Sequence, residues 1–268
     1  MSAVEDQGHD KALTAVAAWF RGKHDLAAQL GNILRTALDE VIDGGRTSRW
    51  AVDSLEKTEK TYIGTKIEIL LKYEFGMTDG SVLDTLIAGH EVDIKCTVRD
   101  NWMIPKEAVG HLCLLLRIDD TRHVFQAGLT RTSEEALNPG GNRDGKRGLK
   151  ASAKQQITWL VKDGDLPSNF LSTISDEVRT KIMSHRSGQK RINELFRLVQ
   201  RRIIPRNAIE TVARQIDPMA RMRHARAPLL AEGILVLGHQ DEDPETARNY
   251  GLPVPNKGES ISVAIKSR

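Results

Sequence analysis

The sequence predicts an α/β protein of two domains, a mixed-sheet domain followed by a helical, basic one. Three observations predict it. Two helical stretches lead into a series of short strand-like runs between residues 82 and 161. From Ser172 to Gln215 the apolar spacing turns helical again. Basic residues crowd into that second region: between Lys181 and Arg226 twelve Lys and Arg stand against three acids, in a chain whose net charge is only +3. The expected boundaries are 1–162 for the first domain, 163–168 for a linker ("KDGDLPSNF") and 169–268 for the second domain. With 268 residues, 40% hydrophobic and 28% charged, the chain can bury a real core.

The elements follow in order. Residues 10–40 read as helical, with Leu13, Val16, Ala17 and Phe20 on one face, then Leu26, Leu30, Leu34 and Leu38. Asp43-Gly44-Gly45 breaks the pattern as a turn. DNA ligases carry a nucleophilic lysine in Lys-x-Asp-Gly. Val41 holds that place here, so the turn reading prevails. Residues 54–75 read as a polar loop entering a helix, capped by Thr61 or Thr65 and closed by Gly76. "SVLDTLIAGHEVDIKCTV" gives two strands with a hairpin turn at Gly89-His90. "HLCLLLRIDD", "HVFQAGLTR" and "ITWLV" give three more. "NPGGNRDGKRGLKASAK" is a glycine-rich basic loop, and its Arg143, Lys146 and Arg147 are candidate DNA contacts.

In the second half, "INELFRLVQRR" is one amphipathic helix and "PRNAIETVARQ" another. A third, basic helix follows, with Asp217 as its cap and Pro218 in its first turn. Helix, helix, short turn, basic helix is the helix-turn-helix order. "GILVLG" and "ISVAIKS" supply two strands of a wing around a long polar loop. Arg221, Arg223, His224 and Arg226 are the candidate DNA contacts of the basic helix, Arg221 and Arg223 lying nearest its start. A helical bundle with a solvated basic face is the plainer reading.

"HEVDIKCT" carries the chemistry. Alternation puts Val92 and Ile94 on one face and Glu91, Asp93 and Lys95 on the other. Asp84 ends the preceding strand and can meet Asp93 across the hairpin, and Glu68 lies on the helix before it. Phosphodiester cleavage needs this assortment. Carboxylates hold a hard divalent cation such as Mg2+ against the phosphate, and a lysine orients the attacking water. The expected metal ligands are Asp84, Asp93 and the backbone carbonyl of Ile94, with Glu68 on a second metal or a metal-bound water. Lys95 faces the water, and Glu91 is expected at the rim as a solvated partner of Lys95. Spacing alone leaves an ordinary ion-paired strand face open as the alternative.

Cys96 and Cys113 sit in apolar runs and are expected as free, buried thiols. No Cys-x-x-Cys metal spacing occurs, no signal-peptide core is visible and no run of about 18 apolar residues exists. A cytoplasmic protein without a membrane partner is expected.

"DGGRTSRW", "LEKTEKTYIGTKIEI", "GSVLDTLIAGHEVDIKCTV" and "NWMIPKEAVGHLCLLLRIDD" together resemble the NaeI family of type II restriction endonucleases. The resemblance implies a PD-(D/E)xK nuclease domain with Glu68, Asp84, Asp93 and Lys95 as its active site, Leu83-Asp84 standing where the wider superfamily often has Pro-Asp. It also implies a second, catabolite-activator-like winged-helix domain that binds another copy of the recognition site and activates cleavage. A Mg2+-dependent homodimer acting on double-stranded DNA at GCCGGC completes the implication. Two other readings stay open: a monomeric repair nickase of the MutH type, and a non-catalytic DNA-binding regulator.

Overall fold

The computed structural model describes residues 10–214 and 219–265. In chain order the elements are α1 (Lys11–Arg21), α2 (Leu26–Ile42), α3 (Gly44–Thr47), α4 (Lys57–Phe75), β1 (Thr85–Ile87), β2 (His90–Thr97), β3 (Met103–Ile104), β4 (Leu112–Asp119), β5 (Val124–Arg131), β6 (Arg147–Gly148), α5 (Ala151–Gln155) and β7 (Thr158–Asp165). Then come α6 (Asp176–Met183), α7 (Gly188–Leu198), α8 (Arg206–Ala213), α9 (Met219–Ala231), β8 (Ile234–Leu237), α10 (Asp243–Asn249) and β9 (Ile261–Ala264). The chain divides into two compact units, Met1–Val41 with Glu56–Pro167, and Ile42–Leu55 with Ser168–Arg268. Among the described residues no helix is long and apolar enough to cross a membrane.

The first unit is a mixed sheet with helices. Its strand order is β1-β2-β4-β5-β7, with β2 and β4 parallel and the other neighbours antiparallel. β4 is flanked on both edges and is apolar almost throughout, as an interior strand must be. The β1–β2 turn is Ala88-Gly89 rather than Gly89-His90. Both residues have positive φ (50° and 80°), the geometry of a tight two-residue hairpin. α4 buries Ile63, Ile67, Leu71 and Phe75, one face at helical spacing. Trp19 and Phe20 of α1 meet Phe75 edge-on, which ties α1 to the end of α4.

The expected cap of α4 is corrected. Neither Thr61 nor Thr65 caps it. Glu56 and Glu59 form a reciprocal capping box one turn earlier, and the Thr61 hydroxyl donates back to the Lys57 carbonyl. Gly76 closes the helix in the left-handed region as expected (φ 62°). Tyr73, near the same end of the helix, is 80% exposed and takes no part in its buried face.

The expected linker starts inside a strand. Asp163, Gly164 and Asp165 belong to β7, and Gly164 pairs with Phe125. A Cβ on Gly164 would lie 2.3 Å from the Phe125 ring, so this glycine serves packing rather than flexibility. Segment 42–55, placed by sequence in the first domain, packs in the second unit. Gly44 lies so close to Thr211 that a Cβ would stand 2.3 Å from its hydroxyl. Trp50 joins the second core, with the Arg179 guanidinium 4.8 Å from its ring.

In the second unit α7, α8 and α9 are followed by the antiparallel pair β8–β9. The connection between those strands is not only a polar loop, because α10 forms within it. Asp217 and Pro218, the expected cap and first turn of the basic helix, lie outside the described residues. Phe196, Ile192, Ile209, Val212, Ala225 and Leu229 anchor the core. One cation is built into it. Arg191 is 3% exposed, and its guanidinium donates to the carbonyls of Val212, Ala213, His185 and Arg186. It thereby holds α7 to the C-terminus of α8, the negative end of that helix dipole.

Arg191→Ala is therefore expected to destabilise the protein by about 3 kcal/mol, because four carbonyls lose their donor at once. Arg191→Lys should restore only part of the loss, having fewer donors and no planar fork. Thermal melts of the three proteins check this, and an unchanged melting temperature for Arg191→Ala would refute it.

Candidate functional site

Register builds the site. Thr85 pairs with Val92, which sets Asp84, just before β1, beside Asp93 on β2. Asp84 thus stands at the start of the first hairpin strand, not at its end. Asp84 Oδ2 accepts a hydrogen bond from the Ile94 amide at 2.7 Å, locking the carboxylate onto β2. Asp93 and Lys95 share a face of β2, as alternation requires. On the neighbouring strand Cys113 and Leu115 are their register partners. Both belong to an apolar cluster with Trp102, Leu149 and Ile157, so Asp93 is only 3% exposed.

The Lys95 ammonium sits among three oxygens. Nζ lies 2.7 Å from Asp93 Oδ1, 3.1 Å from the Ile94 carbonyl and 3.4 Å from Asp84 Oδ2. Asp93 Oδ2 turns the other way, 3.6 Å from Cys113 Sγ. Burial pushes the Asp93 carboxyl above its ordinary range; Lys95 opposes this and the like charge of Asp84 adds to it. Burial alone would lower Lys95, but the two aspartates outweigh it and hold the ammonium above the usual lysine range. Lys95 is therefore a firmly protonated donor in this arrangement.

Glu68 and Lys95 line a cleft of about 320 Å3 that also takes in Lys60, Thr97, Asn101 and Lys146. Glu68 does not reach the aspartates as a third arm of a cage. Among the described residues no three His, Cys, Asp or Glu side chains converge as metal ligands. Its carboxylate instead pairs with Lys72 at 2.9 Å. Of the basic-loop candidates, Lys146 reaches the cleft, Arg143 is exposed and Arg147 pairs with Glu134 at 2.7 Å.

Glu91 departs from expectation. It does not pair with Lys95. Its carboxylate accepts from the Ser81 hydroxyl (2.6 Å), the Ser81 amide (2.7 Å) and the Leu83 amide (3.0 Å). The Ser81 hydroxyl and amide, then the Leu83 amide, hold its carboxyl down at about 2. A Cβ on Gly80 would lie 2.4 Å from Glu91 Oε2, so the loop closes tightly on this carboxylate. Glu91 thus shapes the segment that delivers Asp84.

The thiols are free. Cys113 is buried, Cys96 partly so, and burial raises both, Cys96 to about 12. Neither is a nucleophile at neutral pH.

The basic block of the second unit is partly spent on structure. Arg191 is buried, Arg197 pairs with Glu194 and Glu232, and Arg226 pairs with Asp243 at 2.5 Å. Glu232 and Asp243 lie beyond the stretch in which the charge excess was counted. A cleft of about 450 Å3 gathers Arg223 and Arg226 with Arg206, His239 and Lys257, the last three not singled out from sequence. His224 is exposed on α9. Arg221 is partly buried, its Nε 3.3 Å from where a Cβ on Gly188 would stand. The two arginines expected to act together near the helix start therefore separate.

Glu91→Ala should speed hydrogen exchange at the Ser81 and Leu83 amides by about tenfold or more, since each loses a charged acceptor. Unchanged exchange at those two amides would show that Glu91 does not hold the loop.

Comparison with known proteins gives the family. Residues 15–268 match the family described as restriction endonuclease NaeI. The type II restriction enzyme NaeI of Lentzea aerocolonigenes is 44% identical over 244 residues, covering 87% of this chain and 77% of that protein. With a match across nearly its whole length, the chain belongs to the NaeI family of restriction endonucleases.

Proposed function

We propose that the chain is a Mg2+-dependent, site-specific endonuclease that hydrolyses phosphodiesters of double-stranded DNA. One observation carries the reading: oxygens of Asp84, Asp93 and Ile94 already surround a cation, the Lys95 ammonium. Two carboxylates and a carbonyl suit Mg2+, which keeps several waters and takes one or two carboxylates from protein. They do not suit zinc, which favours imidazole and thiolate cages. Bound there, Mg2+ supplies positive charge to the nonbridging phosphate oxygen and to the leaving 3′ oxygen.

The chain's own residues do the rest. Lys95, on the same strand face as Asp93, orients the attacking water and favours its deprotonation. Glu68, on the same cleft wall, accepts a hydrogen bond from that water. Lys60 and Lys146 along the cleft offer cations to flanking phosphates. The fold of the first unit is read as PD-(D/E)xK on Glu68, Asp84, Asp93 and Lys95.

The second unit is read as a winged helix, with α7, α8 and α9 as its helices and β8–β9 as its wing. Its cleft, with Arg206, Arg223, Arg226, His239 and Lys257, takes the phosphate backbone of a second duplex. The family resemblance extends the reading to a homodimer whose two sites cut both strands of a palindrome, GCCGGC, faster when a second copy is bound.

Three variants test this. Asp93→Ala should abolish plasmid cleavage with Mg2+ while gel-shift affinity for duplex is kept; cutting by the pure variant would sink the metal assignment. Lys95→Arg should lose at least about a hundredfold in rate, because a fork cannot place a compact ammonium on the water. Near-normal rates would leave Lys95 as a mere ion-pair partner. Arg223→Ala with Lys257→Ala should weaken duplex binding and reduce its salt slope by about two. An unchanged slope would take DNA away from that cleft.

A further inference from the structure

Lys72 has no part in the roles above, yet it touches two of the site's components. It stands one turn after Glu68 on α4. Its Nζ lies 2.9 Å from Glu68 Oε1, 3.1 Å from Asp79 Oδ1 and 3.3 Å from the main-chain oxygen of Asp84. Asp79 is 88% exposed at its side chain, so that contact is screened and weak. The other two are sheltered, with the Lys72 side chain itself only 22% exposed. A surface lysine serving an i,i+4 pair points into solvent and steadies its own helix by a small amount. Lys72 instead crosses from α4 to the main chain of Asp84, sixteen residues after Glu68.

We propose that Lys72 is a positioning residue for the metal site, fixing the Glu68 carboxylate relative to the Asp84 main chain. The electrostatics require such a strut. Glu68, Asp79, Asp84 and Asp93 bring four carboxylates to this edge of the unit, and Lys72 and Lys95 are the ammonium groups paired with them. Lys95 serves the two aspartates of the hairpin; Lys72 serves Glu68 and the segment leading to Asp84. Glu91 grips that segment at Ser81 and Leu83, and Lys72 grips it at Asp79 and Asp84. Without Lys72 the Glu68 carboxylate would lose the ammonium that pairs with it and would be free to rotate into solvent. The positions of Glu68 and Asp84, set by different elements, would no longer be coupled. Partners that orient metal-site carboxylates in this way change metal affinity by about ten- to a hundredfold when removed.

The inference rests on the metal-site reading, so the test separates the two. The full chain is titrated with Mn2+, and free Mn2+ is followed by electron paramagnetic resonance, for the parent, Lys72→Met, Glu68→Gln and the double variant. Lys72→Met keeps the length and helix propensity but not the charge. The expected result is that Lys72→Met weakens Mn2+ binding about tenfold or more, that Glu68→Gln weakens it too, and that the double variant is no weaker than Glu68→Gln. Lys72→Arg, which retains the charge, should bind more tightly than Lys72→Met. Parent-like binding by Lys72→Met alongside weakened Glu68→Gln overturns the inference and leaves the metal site standing. A double variant whose losses multiply also overturns it, since Lys72 would then act independently of Glu68. If the parent binds no Mn2+, the metal-site reading falls and the inference with it; if Glu68→Gln binds like the parent, Glu68 lies outside the metal's reach and the inference alone is overturned. Circular dichroism melts accompany each titration. Should Lys72→Met not fold, Lys72→Gln replaces it with the same expected and contrary outcomes.

Discussion

Two carboxylates, Asp84 and Asp93, are held beside each other across the first hairpin, and one of them is almost wholly buried. Like charges at such range repel strongly, and burial raises the cost of keeping them ionised. The first unit is arranged around that constraint. The Lys95 ammonium lies on both carboxylates and on the Ile94 carbonyl. The Ile94 amide donates to Asp84, and the Glu91 carboxylate ties down the loop from which Asp84 projects. Each device holds charge in a geometry that solvent alone would disperse.

The surrounding fold exists to keep these groups from relaxing. β2 lies between β1 and β4: its first residues pair with β1, and the stretch from Val92 to Thr97 pairs with β4. Register against β4 places Cys113 under Asp93 and the apolar cluster under Lys95. α4 buries one clean apolar face and carries Glu68 and Lys72 beside it. Preorganisation of this kind costs nothing at the moment of reaction, because the groups are already in place. The second unit uses its charge differently. Arg191 is consumed by carbonyls and Arg197 by glutamates, so local charge excess overstates what faces a ligand.

Much of this was legible in the sequence, for reasons of period and register. Alternation in "HEVDIKCT" put Asp93 and Lys95 on one face, and the hairpin brought Asp84 to them, because both follow from backbone geometry. Helical spacing found α4, α7 and α8. Side chains that reach backbone at a distance were not legible. Glu91 was read against its neighbour Lys95, whereas its partners are amides eight to ten residues earlier, in a loop whose path alternation does not fix. Lys72 carried a signal that was passed over, since Glu68 and Lys72 are four apart on a helix. Its contact with Asp84 was not predictable, because it depends on how α4 meets the hairpin. Gly164 and Gly44 read as breaks and proved to be places where bulk is excluded. Composition marks a glycine, but packing decides its purpose.

The central claim is that Asp84, Asp93 and the Ile94 carbonyl form a divalent-cation site now held by Lys95. Anomalous diffraction from crystals of the full chain soaked in Mn2+ tests it most directly. The account predicts an anomalous peak in contact with both carboxylates and the Ile94 oxygen, with Lys95 Nζ moved off those three atoms. A peak elsewhere, or none, with Lys95 Nζ still among the three oxygens, would contradict it.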